Sequence, residues 1–150
     1  MNILVTGATG FIGGAVVKRL SKKNVNVTVL VRDLEENNLP DSVKYKVGDL
    51  RDYKSIKKAL MGIDVVINCA GALPYHKLKD SEYYDINKTG TENIVNSCML
   101  NNVKRFIHIS TVGIYNKKRD AYANSKLEGE RIIQSSALNK ISVIIFSRIL

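Results

Sequence analysis

The chain of 150 residues has few of the residues that mark secreted, membrane or zinc-binding proteins. It has no tryptophan and two cysteines, Cys69 and Cys98, which form no CxxC pair and have no histidine cluster nearby. A zinc site or a disulfide framework is therefore not expected. We expect reduced thiols, as in a cytoplasmic protein. The apolar runs are too short for a membrane span. The start Met-Asn-Ile-Leu-Val leaves no room for a cleaved signal peptide.

What the chain does contain is typical of one globular domain, with 45% hydrophobic and 25% charged residues. Lys and Arg number 23 against 14 acidic residues, a net charge of +9. The basic residues come in small scattered groups, which favours a solvated basic surface over a nucleic-acid binder. The positive field still favours an anionic ligand that carries phosphate.

Segments of strand and helix character alternate along the whole chain, which predicts an α/β fold with a doubly wound parallel sheet and helices on both faces. The apolar run 64–70 is typical of a strand that is covered on both sides. A polar loop with little helix is expected at 33–41. The predicted strands are 2–6, 25–31, 43–47, 64–70, 105–110 and 141–150, and the predicted helices are 11–23, 53–61, 82–101 and 121–138.

The chain ends inside an apolar strand-like segment, 143–150, without a polar tail. A buried parallel strand is an unfavourable place for a chain terminus. We therefore expect residues 1–150 to be the N-terminal part of a longer protein.

A glycine-rich segment, Thr6-Gly7-Ala8-Thr9-Gly10-Phe11-Ile12-Gly13, follows the first predicted strand and opens the first predicted helix. Gly7 would permit a tight turn, Gly10 would permit close approach of a pyrophosphate to the backbone, and Gly13 would let the helix pack closely on the sheet. The helix N-terminus, with Thr9, Phe11 and Ile12, presents N–H groups and a partial positive charge to phosphates. This context predicts a dinucleotide-binding loop rather than a purely structural turn.

The residues at the end of the second predicted strand indicate which dinucleotide, NAD or NADP, is bound. An acidic side chain there holds the ribose 2′-hydroxyl of NAD, and an arginine accommodates the 2′-phosphate of NADP. Arg32 follows Val31 directly and favours NADP(H). The alternative is that Arg32 is an ordinary exposed residue and that Asp33 binds NAD.

Tyr122 and Lys126 are four residues apart on a predicted helix and so share one face. A tyrosine is a poor acid or base at neutral pH. An ammonium one turn away, together with the positive nicotinamide ring, would favour the phenolate and bring the pKa of Tyr122 toward neutrality. Thr111, at the end of the fifth strand, would supply a hydroxyl that orients the substrate oxygen.

These motifs together resemble the short-chain dehydrogenase/reductase family, in its extended, NAD-dependent epimerase/dehydratase branch. The resemblance covers essentially the whole chain and rests on several motifs in the right order. They are TGATGFIG at 6–13, GDLRD at 48–52, DVVINCAG at 64–71, YYDINKTGTENIV at 83–95, HISTVGIY at 108–115 and YANSK at 122–126.

The resemblance implies a Rossmann fold that binds NAD(P) and lacks its C-terminal substrate domain here. It implies that Asp49 and Leu50 flank the adenine and that Ala70 and Gly71 line the cofactor. Asn87 would support the active-site helix. The catalytic residues would be Thr111, Tyr122 and Lys126. Tyr122 and Lys126 would also contact the cofactor, and Lys126 would hold the nicotinamide ribose.

Simpler structural roles remain open for some of these residues. Asp49 could cap a turn, and Asn87 could bond within its own helix. Ser110 competes with Thr111 for the hydroxyl role. His108 alternates with apolar residues on a core strand and is interpreted as structural. Only ten residues separate Thr111 from Tyr122, fewer than in most family members that act on sugar nucleotides.

The resulting hypothesis is an NAD(P)-dependent oxidoreductase, epimerase or dehydratase that acts on a carbinol or carbonyl carbon of a nucleotide sugar. The alternative is a non-catalytic NADP-binding regulatory or scaffold protein of the same fold. We expect no metal, no nucleic acid and no membrane among its partners. The two long helices, 82–101 and 121–138, are the expected contact of a homodimer.

Overall fold

A computed structural model describes residues 1–34, 39–138 and 140–146. Its six strands form one parallel sheet in the order β3-β2-β1-β4-β5-β6, which confirms the predicted doubly wound α/β fold. The predicted loop residues 35–38 and the strand residues 147–150 lie outside the described part. The strands are β1 (Asn2–Thr6), β2 (Asn26–Val31), β3 (Lys44–Val47), β4 (Val65–Asn68), β5 (Arg105–Thr111) and β6 (Ile141–Phe146).

The α-helices are α1 (Phe11–Leu20), α2 (Tyr53–Ala59), α3 (Asp80–Tyr84), α4 (Gly90–Leu100) and α5 (Ala121–Ser135). Two of them end earlier than predicted because serines bond to their last carbonyl groups. Ser21 donates its hydroxyl to the Lys18 carbonyl at 3.1 Å, and Ser136 donates to the Ile133 carbonyl at 2.6 Å. Such local bonds compete with continuation of the helix.

The predicted helix 82–101 is one helical rod with a π-helical turn, Asp85–Thr89, between α3 and α4. A π turn inserts an extra residue and changes where side chains point, and it often marks a functional position. It places Asn87 in the interior, 3% exposed. Two short 3-10 turns, Pro74–His76 and Val112–Tyr115, follow β4 and β5 and were not predicted.

The two faces of the sheet are covered unequally. Leu4, Val66 and Phe106 pack against α2, α4 and α5, whereas Val5 and Val29 pack on the side of α1. The strand β4 is covered on both faces, as expected, but unequally. Its alternate residues Val66 and Asn68 are buried, but Val65 and Ile67 are half-buried.

The strand order reverses between β1 and β4, because the chain crosses from β3 at one edge of the sheet to β4 on the other side of β1. In open parallel sheets, ligands bind at the carboxyl ends of the strands beside this point. None of the helices in the described ranges is long and apolar enough to cross a membrane.

Candidate functional site

A cavity of about 1600 Å³ opens at the carboxyl ends of the strands. Every residue that the sequence analysis assigned to cofactor binding or catalysis lines it, from Gly7 after β1 to Lys126 on α5. Pockets for small molecules usually measure about 300–1,000 Å³. The cavity therefore has room for a ligand of dinucleotide size and a second molecule beside it.

The glycine-rich loop is fixed by two close backbone approaches. Gly7 has φ +63°, the left-handed region, and a Cβ there would lie 2.6 Å from the backbone nitrogen of Ala70. A Cβ on Gly13 would lie 2.1 Å from the Gly7 carbonyl oxygen. Both positions therefore require glycine. Gly13 packs on the loop itself, where the sequence analysis expected it to pack on the sheet.

The N-terminus of α1 faces the cavity with its amide groups. Gly10 is the cap residue and has no side chain that could accept from these amides, and the first turn carries no acidic residue. The positive end of the helix is thus left for an anion. The Phe11 side chain is 79% exposed beside it.

Charged side chains gather at the ends of β2 and β3. The Arg51 guanidinium donates to both carboxylate oxygens of Asp49, at 2.9 and 2.6 Å, and the Arg51 backbone N–H donates to the same group at 2.9 Å. The hydrogen bonds from Arg51 lower the pKa of Asp49, and the charge of Arg32 adds to this. Asp49 therefore closes a turn and lines the cavity at the same time.

Asn87 holds the loop after β4 against α5. Its Oδ1 accepts from the Ala72 backbone N–H at 2.8 Å, and its Nδ2 donates to the Ala72 carbonyl at 3.2 Å and to Ser125 Oγ at 3.0 Å. Gly71 lies close by, since a Cβ there would be 3.1 Å from Asn87 Oδ1. Asn87 therefore contacts both the predicted cofactor loop and the predicted active-site helix, rather than only its own helix.

The Tyr122 ring packs edge-on against Tyr83, with 6.3 Å between ring centroids. Burial raises the pKa of Tyr122, the Thr111 hydroxyl lowers it, and the Asp120 carboxylate raises it. Among the protein's own residues the net effect raises the pKa of Tyr122, whereas the expected lowering requires the nicotinamide ring as well as Lys126. Thr111 is the last residue of β5, and its hydroxyl beside the phenol also caps the following 3-10 turn through Gly113 N–H at 3.2 Å.

Lys126 is 5% exposed and turned toward β5. Its Nζ donates to the Ile109 carbonyl at 2.6 Å and lies 3.2 Å from His108 Nε2. Burial lowers the pKa of Lys126 to about 8, although the nearby Glu130 raises it. The Ile109 carbonyl and His108 thus hold the Lys126 ammonium against β5.

The sequence analysis missed several residues that hold this site. His108, interpreted as structural, contacts Lys126, and Tyr83 supports the Tyr122 ring. Phe106, His108 and Ser110 share the buried face of β5, toward α5, a signal that the strand periodicity contained. Ser110 also lines the cavity, but among the described residues its Oγ has no hydrogen-bond partner.

Comparison with known proteins matches nearly the whole chain to one family. The model described as the NAD dependent epimerase/dehydratase family matches residues 3–148. A membrane protein of Methanocaldococcus jannaschii is 34% identical over 92% of this chain and 44% of its own. The UDP-glucose 4-epimerase of Vibrio cholerae is 33% identical over 75% of this chain and 35% of its own.

Among solved structures, the enzyme WbmG of Bordetella bronchiseptica, in complex with NAD, superposes with a TM-score of 0.84. It is 20% identical, and the match covers 95% of this chain and 52% of that one. The likeness supports the fold. The chain thus spans about half the length of this structure, and less of the two curated relatives.

Proposed function

This chain belongs to the NAD dependent epimerase/dehydratase family, and we propose that the protein binds a nicotinamide dinucleotide and interconverts a carbinol and a carbonyl carbon of a nucleotide sugar. One observation carries the proposal. A single cavity joins the glycine-rich loop and the α1 N-terminus to Thr111, Tyr122 and Lys126. The UDP-glucose 4-epimerase relative supports a nucleotide sugar as the substrate class.

The residues present fit a dinucleotide. The open amide groups of α1 and the close approach at Gly7 and Gly13 make a cradle that a larger side chain would fill. A net charge of +9 favours a ligand with two phosphates. When bound, the nicotinamide supplies a hydride acceptor or donor, which fits an epimerase, a dehydratase or a reductase.

The chain's own residues would move and hold protons. Tyr122 would exchange a proton with the substrate hydroxyl as general acid and base. Thr111, whose hydroxyl lies beside the phenol, would orient the substrate oxygen. Lys126 would present its ammonium to the cofactor ribose and add positive charge near the developing oxyanion.

The form of the cofactor is a separate part of the proposal. Arg32 lines the cavity at the end of β2 and supports NADP(H), as the sequence analysis predicts. The similar enzyme WbmG, by contrast, was solved in complex with NAD. Titration of the complete protein with both cofactors decides between them.

The test is turnover of a UDP-hexose by the complete protein, with NMR identification of the sugar product. We expect an altered sugar with NAD(P) present, formed about 100-fold or more slowly by the Tyr122→Phe variant. A folded protein that binds either cofactor but converts none of a panel of nucleotide sugars would contradict the substrate class. A folded protein that binds neither cofactor would contradict the whole proposal.

A further inference from the structure

A chain of hydrogen-bonded side chains runs from β1 to α5 beneath the cavity. Thr6 Oγ1 lies 2.6 Å from Asn68 Oδ1, Asn68 Nδ2 lies 3.0 Å from His108 Nδ1, and His108 Nε2 lies 3.2 Å from Lys126 Nζ. All four side chains are buried. Thr6, Asn68 and His108 are register partners on adjacent strands, so the sheet itself holds them in line.

The donors and acceptors of this chain are limited. A lysine ammonium has three N–H donors and no acceptor, whereas a neutral imidazole has one donor and one acceptor. Burial holds the pKa of His108 well below its ordinary value, and the Lys126 charge lowers it further, so the ring is neutral. A charged Lys126 therefore needs His108 Nε2 as acceptor, which puts the ring proton on Nδ1.

The tautomer then fixes the Asn68 amide. His108 Nδ1–H must face the amide oxygen, and the amide nitrogen must face Thr6 Oγ1. The structure records the other orientation, in which Asn68 Oδ1 accepts from the Thr6 hydroxyl and Nδ2 faces His108 Nδ1. That orientation leaves Nε2–H pointing at Lys126, which suits only an uncharged amine. The oxygen and nitrogen of an amide exchange places when the group turns by 180°, so a charged Lys126 requires Asn68 to be turned from the recorded orientation.

We propose that His108 is a positioning residue for Lys126: its Nε2 accepts a hydrogen bond from the ammonium, and Asn68 fixes the tautomer that allows this. The Ile109 carbonyl accepts a second N–H at 2.6 Å. Two adjacent residues of β5 thus fix two of the three N–H directions, and the third is left for a ligand in the cavity. The catalytic consequence rests on the proposed function, whereas the hydrogen-bond chain does not.

The charged groups around Lys126 favour the ammonium form. Glu130 on α5 and Cys69 after β4 raise the pKa of Lys126 against the effect of burial, and the resulting value is about 8. His108, on β5, stays neutral beside it. At neutral pH most molecules therefore carry the charge that the Nδ1–H tautomer requires.

The first test reads the tautomer by NMR of the complete protein labelled with ¹⁵N-histidine, well below the pKa of Lys126. We expect His108 to be the Nδ1–H tautomer. His76 is the matched control, because its Nδ1 accepts from the Leu73 backbone N–H at 3.0 Å and its tautomer is therefore Nε2–H. His108→Gln and His76→Gln assign the two signals. A His108 ring that is mainly Nε2–H or charged would overturn the proposal.

The second test compares His108→Leu, which has no acceptor, with His108→Gln, whose amide oxygen reaches toward Lys126. We expect Leu to lower kcat by about 10-fold or more with little change in KM, the scale of a lost hydrogen bond to a charged group. The alkaline limb of its pH–rate profile should move to lower pH, because the ammonium has lost an acceptor. Gln should restore most of the rate.

Equal rates and pH profiles for folded His108→Leu and His108→Gln would overturn the proposal. If the Leu variant does not fold, the tautomer measured in the unmodified protein still decides it. Failure of the proposed function is separate, since full activity of Tyr122→Phe would contradict that function without changing the His108 tautomer.

Discussion

Gly13, in the first turn of α1, sits so close to Gly7 that a Cβ on it would lie 2.1 Å from the Gly7 carbonyl oxygen. Gly7 in turn approaches the backbone of Cys69 and Ala70 after β4. The backbone of α1 therefore packs directly on the glycine-rich loop after β1, and this loop packs on the backbone that follows β4. This contact sets where the helix N-terminus meets the cavity.

Gly13→Ala should destabilise the protein by roughly 1–3 kcal/mol, the usual cost of overpacking, because the contact atom belongs to the backbone and cannot rotate away. Gly14→Ala is the matched control, since its Cβ would lie 3.3 Å from the Ala8 carbonyl oxygen and alanine favours the helix by about 1 kcal/mol. Urea unfolding followed by circular dichroism measures both. Equal stabilities of the two variants would contradict the packing argument.

Gly10→Val should remove dinucleotide binding while the fold remains. Gly10 has φ −83° and ψ 172°, extended backbone that valine adopts without backbone strain, and its Cβ would lie 3.3 Å from the Gly7 carbonyl oxygen, which must shift slightly. The side chain would occupy the approach to the α1 amide groups. Calorimetric titration with NAD⁺ and NADP⁺ measures the loss. Ala15→Val, on the exposed side of α1, is the control and should bind normally; normal binding by Gly10→Val would mean that the loop is only structural.

Arg32→Ala should weaken NADPH binding far more than NADH binding, because a charge-assisted contact to the 2′-phosphate contributes about 1.5–3 kcal/mol. Arg19→Ala, in the last turn of α1 and exposed, changes the net charge equally and should affect neither cofactor strongly. Dissociation constants from calorimetry give the comparison. Equal weakening of both cofactors by Arg32→Ala, or none, would move the assignment to NAD and Asp33.

Lys126→Met should give a stability difference that depends on pH. The pKa of Lys126 is about 8 in the folded protein and 10.5 ordinarily, so the unfolded chain binds the proton more tightly. Relative to the Met variant, the unmodified protein should therefore gain about 3 kcal/mol as pH rises from 8 to 10.5. Urea unfolding across that range measures it, and the titrating groups that do not interact with Lys126 cancel in the difference. A constant difference would mean that Lys126 keeps its ordinary pKa.

The fold follows from local patterns that a single sequence displays. Strand and helix segments alternate, and TGATGFIG lies between the first two of them, so the sheet and its ligand edge were predictable. The π turn around Asn87 was not, because it is stabilised by long-range contacts to Ala72 and Ser125. Half-burial of Val65 and Ile67 also depends on what covers the sheet, which their apolar character does not reveal.

The candidate site, like the fold, was only partly predictable from the sequence. The spacing of Tyr122 and Lys126 predicts one helix face, and both line the cavity. This spacing does not predict which acceptors bind the Lys126 ammonium. Lys126 bonds to the Ile109 carbonyl and contacts His108, on a strand well away in sequence, and the spacing of Tyr122 and Lys126 predicts neither contact.

Tyr122→Phe removes only the phenolic hydroxyl, so the ring can still pack on Tyr83 and cofactor affinity should be nearly unchanged. Turnover should fall by about 100-fold or more, the usual scale for loss of a general acid and base. Steady-state rates of the complete protein across the pH range measure this, alongside cofactor titration of the same variant.

Thr111→Val distinguishes the orienting role of Thr111 from the acid and base role of the neighbouring Tyr122. The valine keeps the shape and loses the hydroxyl that lies beside the phenol and lowers the pKa of Tyr122. Turnover should therefore fall, but the pH–rate profile should keep the limb that reports the titration of Tyr122. That limb should move to higher pH. In Tyr122→Phe the Tyr122 limb should be lost altogether. Full activity of Tyr122→Phe at every pH would make a binding protein the better interpretation, because the one ionisable hydroxyl assigned to the chemistry would then be dispensable.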